Sequence, residues 1–301
     1  MKEFNEIIDK ICKELNIKLI LYEDEWLKIL EKNNRTKCIE GYKFPLNDHA
    51  LGNIIDDKGL FYQLMKYKKY PIIEHRIIFK GTDINEVIEY FNKNNKKIIV
   101  KGNTGSCGRE VYLVNTIDKL KETIKELFKS QYSISLCPYY EIIHEYRLIV
   151  LNNNVELLYG KTRPKVIGDG HSNLLKLATN FNKNYFSKVC NQVFNKEYVP
   201  KKGEEVLLNF QYNLSKGSIP FFDIENKLRK ELIDLACSIS NSIDLKFGSI
   251  DIIETNKHEL LVMEANSGVM LKNIMELEND GKNIAYEIYK KAIKSMFNIK
   301  S

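Results

Sequence analysis

Two pairs of short apolar runs, each pair joined by a polar turn, constrain this sequence most. Residues 146–151 and 155–159 flank three consecutive asparagines, and residues 249–253 and 260–263 flank the polar stretch 256–258. Asparagine tolerates the backbone conformations of tight turns, so each pair predicts an antiparallel β-hairpin. Hairpins mixed with helical segments predict an α+β fold rather than a simple parallel α/β sheet.

Apolar residues at helical spacing alternate with strand-like runs along the rest of the chain. The helical pattern predicts helices at residues 4–15, 58–68, 117–128, 225–242 and 283–297. Further short apolar runs predict strands at 19–22, 98–101, 111–114 and 133–137, and residues 41–47 predict a loop. No repeat or low-complexity linker interrupts this order.

Composition and charge exclude several classes of protein. The 301 residues are 44% hydrophobic and 29% charged, as in ordinary globular proteins, and no apolar run has a membrane-spanning length. Residues 1–10 carry scattered charges and no secretory cleavage site, so a cytoplasmic protein is predicted. The net charge of +6 comes mainly from lysines spread along the chain, whereas nucleic-acid binders concentrate their charge. Neither a nucleic acid nor a membrane is therefore an expected partner.

The six cysteines indicate no metal or disulfide framework. They lie far from one another, without a Cys-x-x-Cys pair, at Cys12, Cys38, Cys107, Cys137, Cys190 and Cys237. Candidate chemistry therefore rests on carboxylates, lysines and glycines.

Two carboxylates and an amide lie close together in the second predicted hairpin. Asp251 is in the first strand, Glu264 ends the second strand, and Asn266 follows just beyond it. Carboxylates on one side of a hairpin, with an amide oxygen beside them, suit a Mg²⁺ ion that carries nucleotide phosphates. The alternative interpretation is a pair of solvent-facing strand carboxylates, which any sheet has.

A glycine-rich stretch follows the strand that ends at Lys101. It contains Gly102, Gly105 and Gly108 among small polar residues. Backbone N–H groups in such a loop can surround phosphate oxygens, and the lysine adds a positive charge. The spacing fits neither a Walker A loop nor a Rossmann fingerprint, and a plain hairpin turn is the alternative.

Together these motifs resemble the ATP-grasp superfamily, which includes D-alanine–D-alanine ligase, glutathione synthetase, cyanophycin synthetase and the ribosomal-protein glutamate ligases. The resemblance covers about residues 45–300 and depends on four motifs in the expected order. These are an Asp-Lys pair at Lys58, Lys101 before the glycine loop, a hinge that leads to Glu145 and Arg147, and the triad Asp251, Glu264 and Asn266. The gaps of 13 and two residues within the triad are those expected of D-alanine–D-alanine ligases.

The resemblance implies how ATP would be bound. Lys58 and Lys101 would contact its phosphates, and the glycine loop would close over them. The loop residues concerned are Gly105, Ser106, Cys107 and Gly108. The hinge from Pro138 onwards would meet the adenine, through backbone groups at Tyr139, Tyr140 and Glu141. Glu145 would bind the ribose hydroxyls.

The resemblance also implies the catalytic and metal-binding groups. Arg147 would approach the reacting phosphate, and the triad would hold one or two Mg²⁺ ions, with Mn²⁺ as an alternative metal. Residues 213–218 resemble a ligase loop in which an asparagine, here Asn213, approaches phosphate and acyl phosphate. Residues 166–174 resemble a stretch of cyanophycin synthetase and related glutathione-forming ligases. Surface turns are the alternative for both, and His171 is a loop side chain or a substrate contact.

Three features depart from the family pattern. Many ligases have an arginine two residues before the first metal aspartate, where this chain has Ser249, and Arg163 would supply that cation instead. The loop after the triad lacks the usual proline, and the segment before Lys58 is short.

The resemblance implies an ATP-dependent ligase that joins a small-molecule or peptide carboxylate to an amine through an acyl phosphate. A kinase, another ATP-dependent ligase or a non-catalytic ATP-binding regulator is the alternative, and a homo-oligomer is an open alternative to a monomer. The expected organisation has two α+β subdomains that clamp ATP. Residues 1–57 form a short N-terminal segment, residues 58–138 a lid subdomain with the glycine loop, and residues 139–301 a C-terminal subdomain with the metal site.

Overall fold

The computed structural model describes residues 1–21, 26–105, 108, 110–181, 195–277 and 280–299. Four residues named in the predictions lie outside this part of the chain, namely Tyr22, Ser106, Cys107 and Cys190. Within it, helices and antiparallel sheets alternate, and the predicted α+β fold is confirmed. None of the helices in these residues has the combined length and apolar composition of a membrane-spanning segment.

The N-terminal unit is a helix followed by a three-stranded antiparallel sheet. Helix α1 spans Lys2–Glu14, and the strands are β1 (Lys18–Leu21), β2 (Leu27–Lys32) and β3 (Arg35–Glu40). The apolar face of α1 buries Phe4 and Ile8 in a core shared with Phe247 and Tyr289 from the C-terminal part. The short leading segment is therefore packed on the body of the protein.

Two short helices follow, α2 (His49–Asp56) and α3 (Lys58–Tyr67). The carboxylates of Asp48 and Asp57 accept hydrogen bonds from backbone N–H groups in the first turns of these helices, which explains where each helix begins. Phe61 of α3 packs in the core of the largest sheet rather than in the four-stranded one. A lid boundary at residue 58 stays a prediction.

A four-stranded antiparallel sheet with two helices comes next. Its elements are β4 (Arg76–Phe79), α4 (Ile84–Lys93), β5 (Ile98–Gly102), β6 (Val111–Val114), α5 (Ile117–Leu127) and β7 (Ser133–Pro138). The strand order is β4-β7-β5-β6. Both helices bury apolar side chains against this sheet, among them Phe91 and Leu120. The glycine loop connects β5 to β6 at one end of the sheet.

The largest sheet has five strands and carries both predicted hairpins. Strands β8 (Ile142–Leu151) and β9 (Asn154–Thr162) form the first, and a small sheet of β10 (Lys165–Ile167) and β11 (Glu205–Leu207) with helix α6 (Leu174–Phe181) follows. Strand β12 (Ile219–Phe221), helix α7 (Asn226–Ile243) and the second hairpin, β13 (Phe247–Thr255) with β14 (Leu260–Asn266), complete the sheet in the order β12-β9-β8-β13-β14. Helices α8 (Lys272–Met275) and α9 (Gly281–Met296) close the described chain.

The predicted helices and strands are confirmed within a few residues of their predicted ends, with one correction at the site. Strand β14 extends to Asn266, so Asn266 lies within the strand rather than beyond it, and Glu264 does not end it. The reason is that Asn266 pairs with Ser249 of β13 and continues the ladder. The elements that were not predicted are strands β2, β3, β4, β10, β11 and β12 and helices α2, α4, α6 and α8.

Candidate active site

A cavity of about 730 Å³ opens between the four-stranded and five-stranded sheets. Residues from both sheets and from the loops between them line it. The predicted site residues among its lining are Lys58, Lys101, Gly105, Gly108, Tyr139, Tyr140, Glu145, Arg147, Arg163, Asn213, Glu264 and Asn266. The fold therefore gathers residues that are far apart in the sequence into one cleft.

The register of the large sheet aligns the central charged residues. Arg147 of β8 pairs with Asp251 of β13, and Asp251 pairs with Glu264 of β14. Tyr159 of β9 stands on the other side of Arg147 in the same row. Directly opposed residues in antiparallel strands point to the same face, so these side chains are immediate neighbours. The predicted placement of Asp251 and Glu264 on one face of a hairpin is confirmed.

Asp251 is fully buried and fully hydrogen-bonded. Arg147 donates from Nε to Oδ1 at 2.9 Å and from Nη2 to Oδ2 at 2.7 Å, and Lys161 donates to Oδ1 at 2.9 Å. Burial acts to raise the pKa of Asp251, but the two cations outweigh it and hold the pKa at about 2. Asp251 is therefore ionised at neutral pH, and protein donors occupy both of its oxygens.

Lys161 is the main residue that the sequence reasoning missed. Its side chain is buried, and its ammonium bridges the carboxylates of Glu145 and Asp251. Burial raises the pKa of Glu145, and Lys161 opposes that rise. The signal available in the sequence was a lysine at the end of the apolar run of β9, two residues after Tyr159 and hence on the same face of the sheet.

Glu264 and Asn266 present oxygens that are not engaged elsewhere. Both side chains line the cleft, and neither makes a hydrogen bond or ion pair with any described residue. A carboxylate and an amide oxygen fit a hard divalent cation such as Mg²⁺. Asp251 fits as a further ligand only if Arg147 or Lys161 releases one of its oxygens. Among the described residues there is no group of three His, Cys, Asp or Glu side chains that would hold a metal. A metal ion at this position would therefore need the amide oxygen of Asn266 as one of its ligands.

Lys58 holds the glycine loop against the start of α3. Its buried ammonium donates to the carbonyl oxygens of Asn103, at 3.1 Å, and of Gly105, at 2.7 Å. Burial lowers the pKa of Lys58, and nearby Glu264 opposes that change. Asn103 strengthens the junction, because it donates to the carboxylate of Asp57 at 2.6 Å and accepts from the N–H of Gly59 at 3.1 Å. Sequence reasoning did not select Asn103.

Lys101 lies beside Lys58 at the end of β5 and is only 6% exposed. Within the described ranges its ammonium has no hydrogen-bond acceptor and no carboxylate partner, although it lines the cleft. An unpaired, largely buried cation is costly unless an anion occupies the adjacent space. The cleft at this point is therefore suited to a polyanion.

The loop around Asn213 lies over the glycine loop. Lys216 donates to the carbonyl oxygen of Gly108 at 2.5 Å, and Gln211 donates to the carbonyl oxygen of Val111 at 3.2 Å. The carbonyl oxygen of the Asn213 side chain accepts two hydrogen bonds from Ser215, and its Nδ2 lies against Gly108. The loop from the C-terminal part thus closes the glycine-loop end of the cleft.

The predicted hinge and the second arginine are also at the cleft. Tyr139 and Tyr140 line it, whereas Glu141 does not: its carboxylate accepts a hydrogen bond from Asn256 at 3.0 Å. Its predicted backbone contact with a nucleotide stays a prediction. Arg163 stacks on the ring of Tyr212 at 5.6 Å and has no carboxylate partner in the described chain. His171 is outside the cleft lining and contacts Asp169.

Two α+β units that enclose a cleft lined by lysines, a glycine loop and a strand carboxylate are the arrangement that a resemblance to ATP-grasp proteins implies. Residues 195–292 match the RimK-like ATP-grasp domain family. The glutathione biosynthesis bifunctional protein GshAB of Streptococcus mutans is 25% identical over 188 residues, which cover 59% of this chain and 24% of that protein. These matches support the resemblance to the ATP-grasp superfamily that the motifs indicated.

Solved structures share the fold at low sequence identity. D-alanyl-alanine synthetase A from Vibrio cholerae has a TM-score of 0.60 and 11% identity, and the match covers 98% of this chain and 93% of that one. D-alanine–D-alanine ligase from Bacillus anthracis has a TM-score of 0.57 and 13% identity, with 85% and 69% covered. The bifunctional glutathione synthetase from Pasteurella multocida has a TM-score of 0.56 and 14% identity, with 96% and 44% covered. This chain therefore spans less than half the length of either bifunctional relative.

Proposed function

We propose that this protein is an ATP-dependent ligase that forms a C–N bond between a carboxylate and an amine. The observation that carries the proposal is the row of Arg147, Asp251 and Glu264 across three adjacent strands. Arg147 and Glu264, on either side of the buried Asp251, line the cleft in which Lys101 is unpaired among the described residues. The row combines a guanidinium for a phosphoryl group with oxygens for a metal ion. Such an arrangement serves phosphoryl transfer.

We propose that ATP binds with its phosphates at the lysine end of the cleft. Lys101 and Lys58 neutralise phosphate charge, and the backbone of the glycine loop surrounds the phosphate oxygens. Tyr139 and Tyr140 lie where the hinge joins the two sheets, and the adenine is assigned to that region. Glu145 is assigned to the ribose, and Lys161 holds its carboxylate in place.

Glu264 and Asn266 would hold Mg²⁺, with Asp251 as a further ligand. When bound, the metal supplies positive charge to the phosphate oxygens. Arg147 donates hydrogen bonds to both oxygens of Asp251. A bound phosphate competes for that guanidinium, since it is a stronger anion than a single carboxylate. Such competition would leave Oδ2 of Asp251 available as a metal ligand, because only Arg147 donates to that oxygen.

These positions support the following reaction. A carboxylate oxygen of the substrate attacks the γ-phosphorus of ATP, the bond from that phosphorus to the bridging oxygen breaks, and ADP leaves. An uncharged amine then attacks the acyl carbon, inorganic phosphate leaves, and the amine loses one proton to water. Arg147, Arg163 and Asn213 are assigned to the charge that develops on the transferring phosphoryl group and on the acyl phosphate. Positioning and electrostatics suffice, so no side-chain nucleophile is needed.

The decisive experiment is Mg²⁺-dependent ADP release, screened against amino acids and short peptides as carboxylates and amines. Release that requires both substrates, with a ligated product by mass, is the expected result. Release with one substrate and a stable phosphorylated product would indicate a kinase. ATP binding without release of ADP with any pool of substrates would indicate a non-catalytic ATP-binding protein.

We also propose that the protein is cytoplasmic, which tagging and cell fractionation would test.

A further inference from the structure

Tyr212 joins the hinge region to the loop that lies over the glycine loop. It directly precedes Asn213 and is buried, with 7% of its surface exposed. Its hydroxyl donates to the carbonyl oxygens of Ile142, at 2.7 Å, and of Ile143, at 3.1 Å. These two residues begin β8, directly after the hinge. The sequence motifs did not single out this tyrosine, whose partners lie about 70 residues earlier in the chain.

The loop that follows Tyr212 is compact, and we call residues 213–218 the clamp loop. The backbone N–H groups of Lys216 and Ser218 donate to the carbonyl oxygen of Asn213, at 2.9 and 3.2 Å. The side chain of Lys216 reaches outward to the carbonyl oxygen of Gly108. The clamp loop is therefore held together by its own hydrogen bonds, and the tyrosine before it ties it to the start of β8.

The ring of Tyr212 makes a second contact. The guanidinium of Arg163 lies over it, 5.6 Å from the ring centre. Burial raises the pKa of Tyr212 above its ordinary value, and the positive charge of Arg163 opposes that rise. The phenol is therefore protonated at neutral pH and is a hydrogen-bond donor to β8. One buried side chain thus supports both a backbone loop and a cation of the cleft.

We propose that Tyr212 is a positioning residue that holds Asn213 and Arg163 in place relative to the hinge. The assignment rests on the proposed function, in which these two side chains meet the charge of phosphoryl transfer. Catalysis of that kind depends on the precise position of the charged and polar groups. A loosened clamp loop should therefore slow turnover more than it weakens nucleotide binding, because the hinge and the lysines keep their nucleotide contacts.

Tyr212→Phe removes the hydroxyl and keeps the ring, whereas Tyr212→Leu also removes the surface beneath Arg163. The matched control is Tyr146→Phe, because the hydroxyl of Tyr146 is also buried and donates to Glu254 at 2.9 Å. Tyr146 precedes Arg147 in β8, so its side chain lies on the face of the sheet away from the cleft. Thermal unfolding of each variant shows that it is folded at the assay temperature.

Amide hydrogen exchange of the clamp loop tests the anchor without any activity. It is measured by mass spectrometry in the protein without nucleotide. Amides of the loop are hydrogen-bonded inside it, so their exchange reports its opening. The loss of one hydrogen bond changes an equilibrium about fivefold, so exchange should be about fivefold faster in Tyr212→Phe. Tyr146→Phe should exchange as the wild type does in this loop. Wild-type exchange in Tyr212→Phe would overturn the anchor.

Steady-state ADP release separates positioning from a purely structural role. We expect kcat to fall about fivefold in Tyr212→Phe and further in Tyr212→Leu, with affinity for a non-hydrolysable ATP analogue within about twofold of the wild type. Tyr146→Phe should keep the wild-type kcat. Wild-type kcat in Tyr212→Phe, or an equal loss of affinity and kcat, would overturn the positioning role. Equal kcat in the two Tyr212 variants would contradict the part that concerns Arg163.

The two measurements also distinguish this assignment from the proposed function. No ADP release by the wild type with any pool of substrates would contradict the ligase proposal. The exchange measurement would then decide by itself whether Tyr212 holds the clamp loop. ADP release that needs both substrates, with wild-type kcat in Tyr212→Phe, would contradict the role of Tyr212 alone.

Discussion

Replacing Lys161 with methionine is expected to destabilise the protein strongly. Lys161 is 3% exposed and bridges Glu145 and Asp251, so its removal leaves Glu145 buried without its cation. Asp251 keeps the two hydrogen bonds from Arg147. Removing one partner of a buried ion pair typically costs 3–5 kcal/mol, and because Arg147 still compensates Asp251, we expect a loss of about 3 kcal/mol in the free energy of unfolding at neutral pH.

The loss is expected to depend on pH in a defined direction. Burial acts to lower the pKa of Lys161, but Asp251 and Glu145 raise it overall, so in the wild type its stabilisation is complete below the unfolded pKa and is lost only in alkaline solution. In Lys161→Met, the already raised pKa of Glu145 rises further. A carboxyl group whose folded pKa exceeds its unfolded pKa destabilises the fold as pH rises above the unfolded value. The variant should therefore recover about 1 kcal/mol between pH 7.5 and pH 5.

Urea unfolding at the two pH values measures both effects. Lys165→Met is the matched control, because Lys165 forms an ion pair with Glu205 in which both side chains are about half exposed, and such pairs contribute at most about 1 kcal/mol. Adding Glu145→Gln to Lys161→Met removes the uncompensated charge and should restore part of the stability. A loss below about 1 kcal/mol in Lys161→Met, or no recovery in the double variant, would refute the reasoning.

Three further changes test the site. Glu264→Gln is expected to abolish Mg²⁺-dependent ADP release, because a neutral amide is a poorer metal ligand than a carboxylate. Circular dichroism and thermal unfolding should stay as in the wild type. Full activity of this variant would contradict the assignment of Glu264 to the metal. Lys101→Met should weaken ATP binding at least tenfold by calorimetry, since an unpaired cation is lost, and wild-type affinity would exclude Lys101 from the phosphate site. Gly108→Ala should reduce turnover far more than Gly203→Ala. Both glycines have a positive φ, but only at Gly108 would an added Cβ collide with the side chain of Asn213. Equal effects of the two substitutions would show that backbone strain alone causes the loss.

Local patterns were sufficient for the elements with strong periodicity. Helix α1 and helix α9 show clear apolar stripes, and both hairpins have asparagine or polar turns. Strands β2 and β3 escaped prediction because charged residues interrupt their apolar positions, and one face of each is exposed. Their burial comes from packing against α1, which no local pattern contains.

The sequence by itself determined the residue types and the order of the motifs. It indicated the lysines, the glycine loop and the triad, because each consists of residues close together in the chain. Only the tertiary structure decided their partners. Arg147 and Lys161 reach Asp251 across 104 and 90 residues of sequence. Such contacts depend on strand register, because a shift of one residue would turn each of these side chains to the opposite face of its sheet.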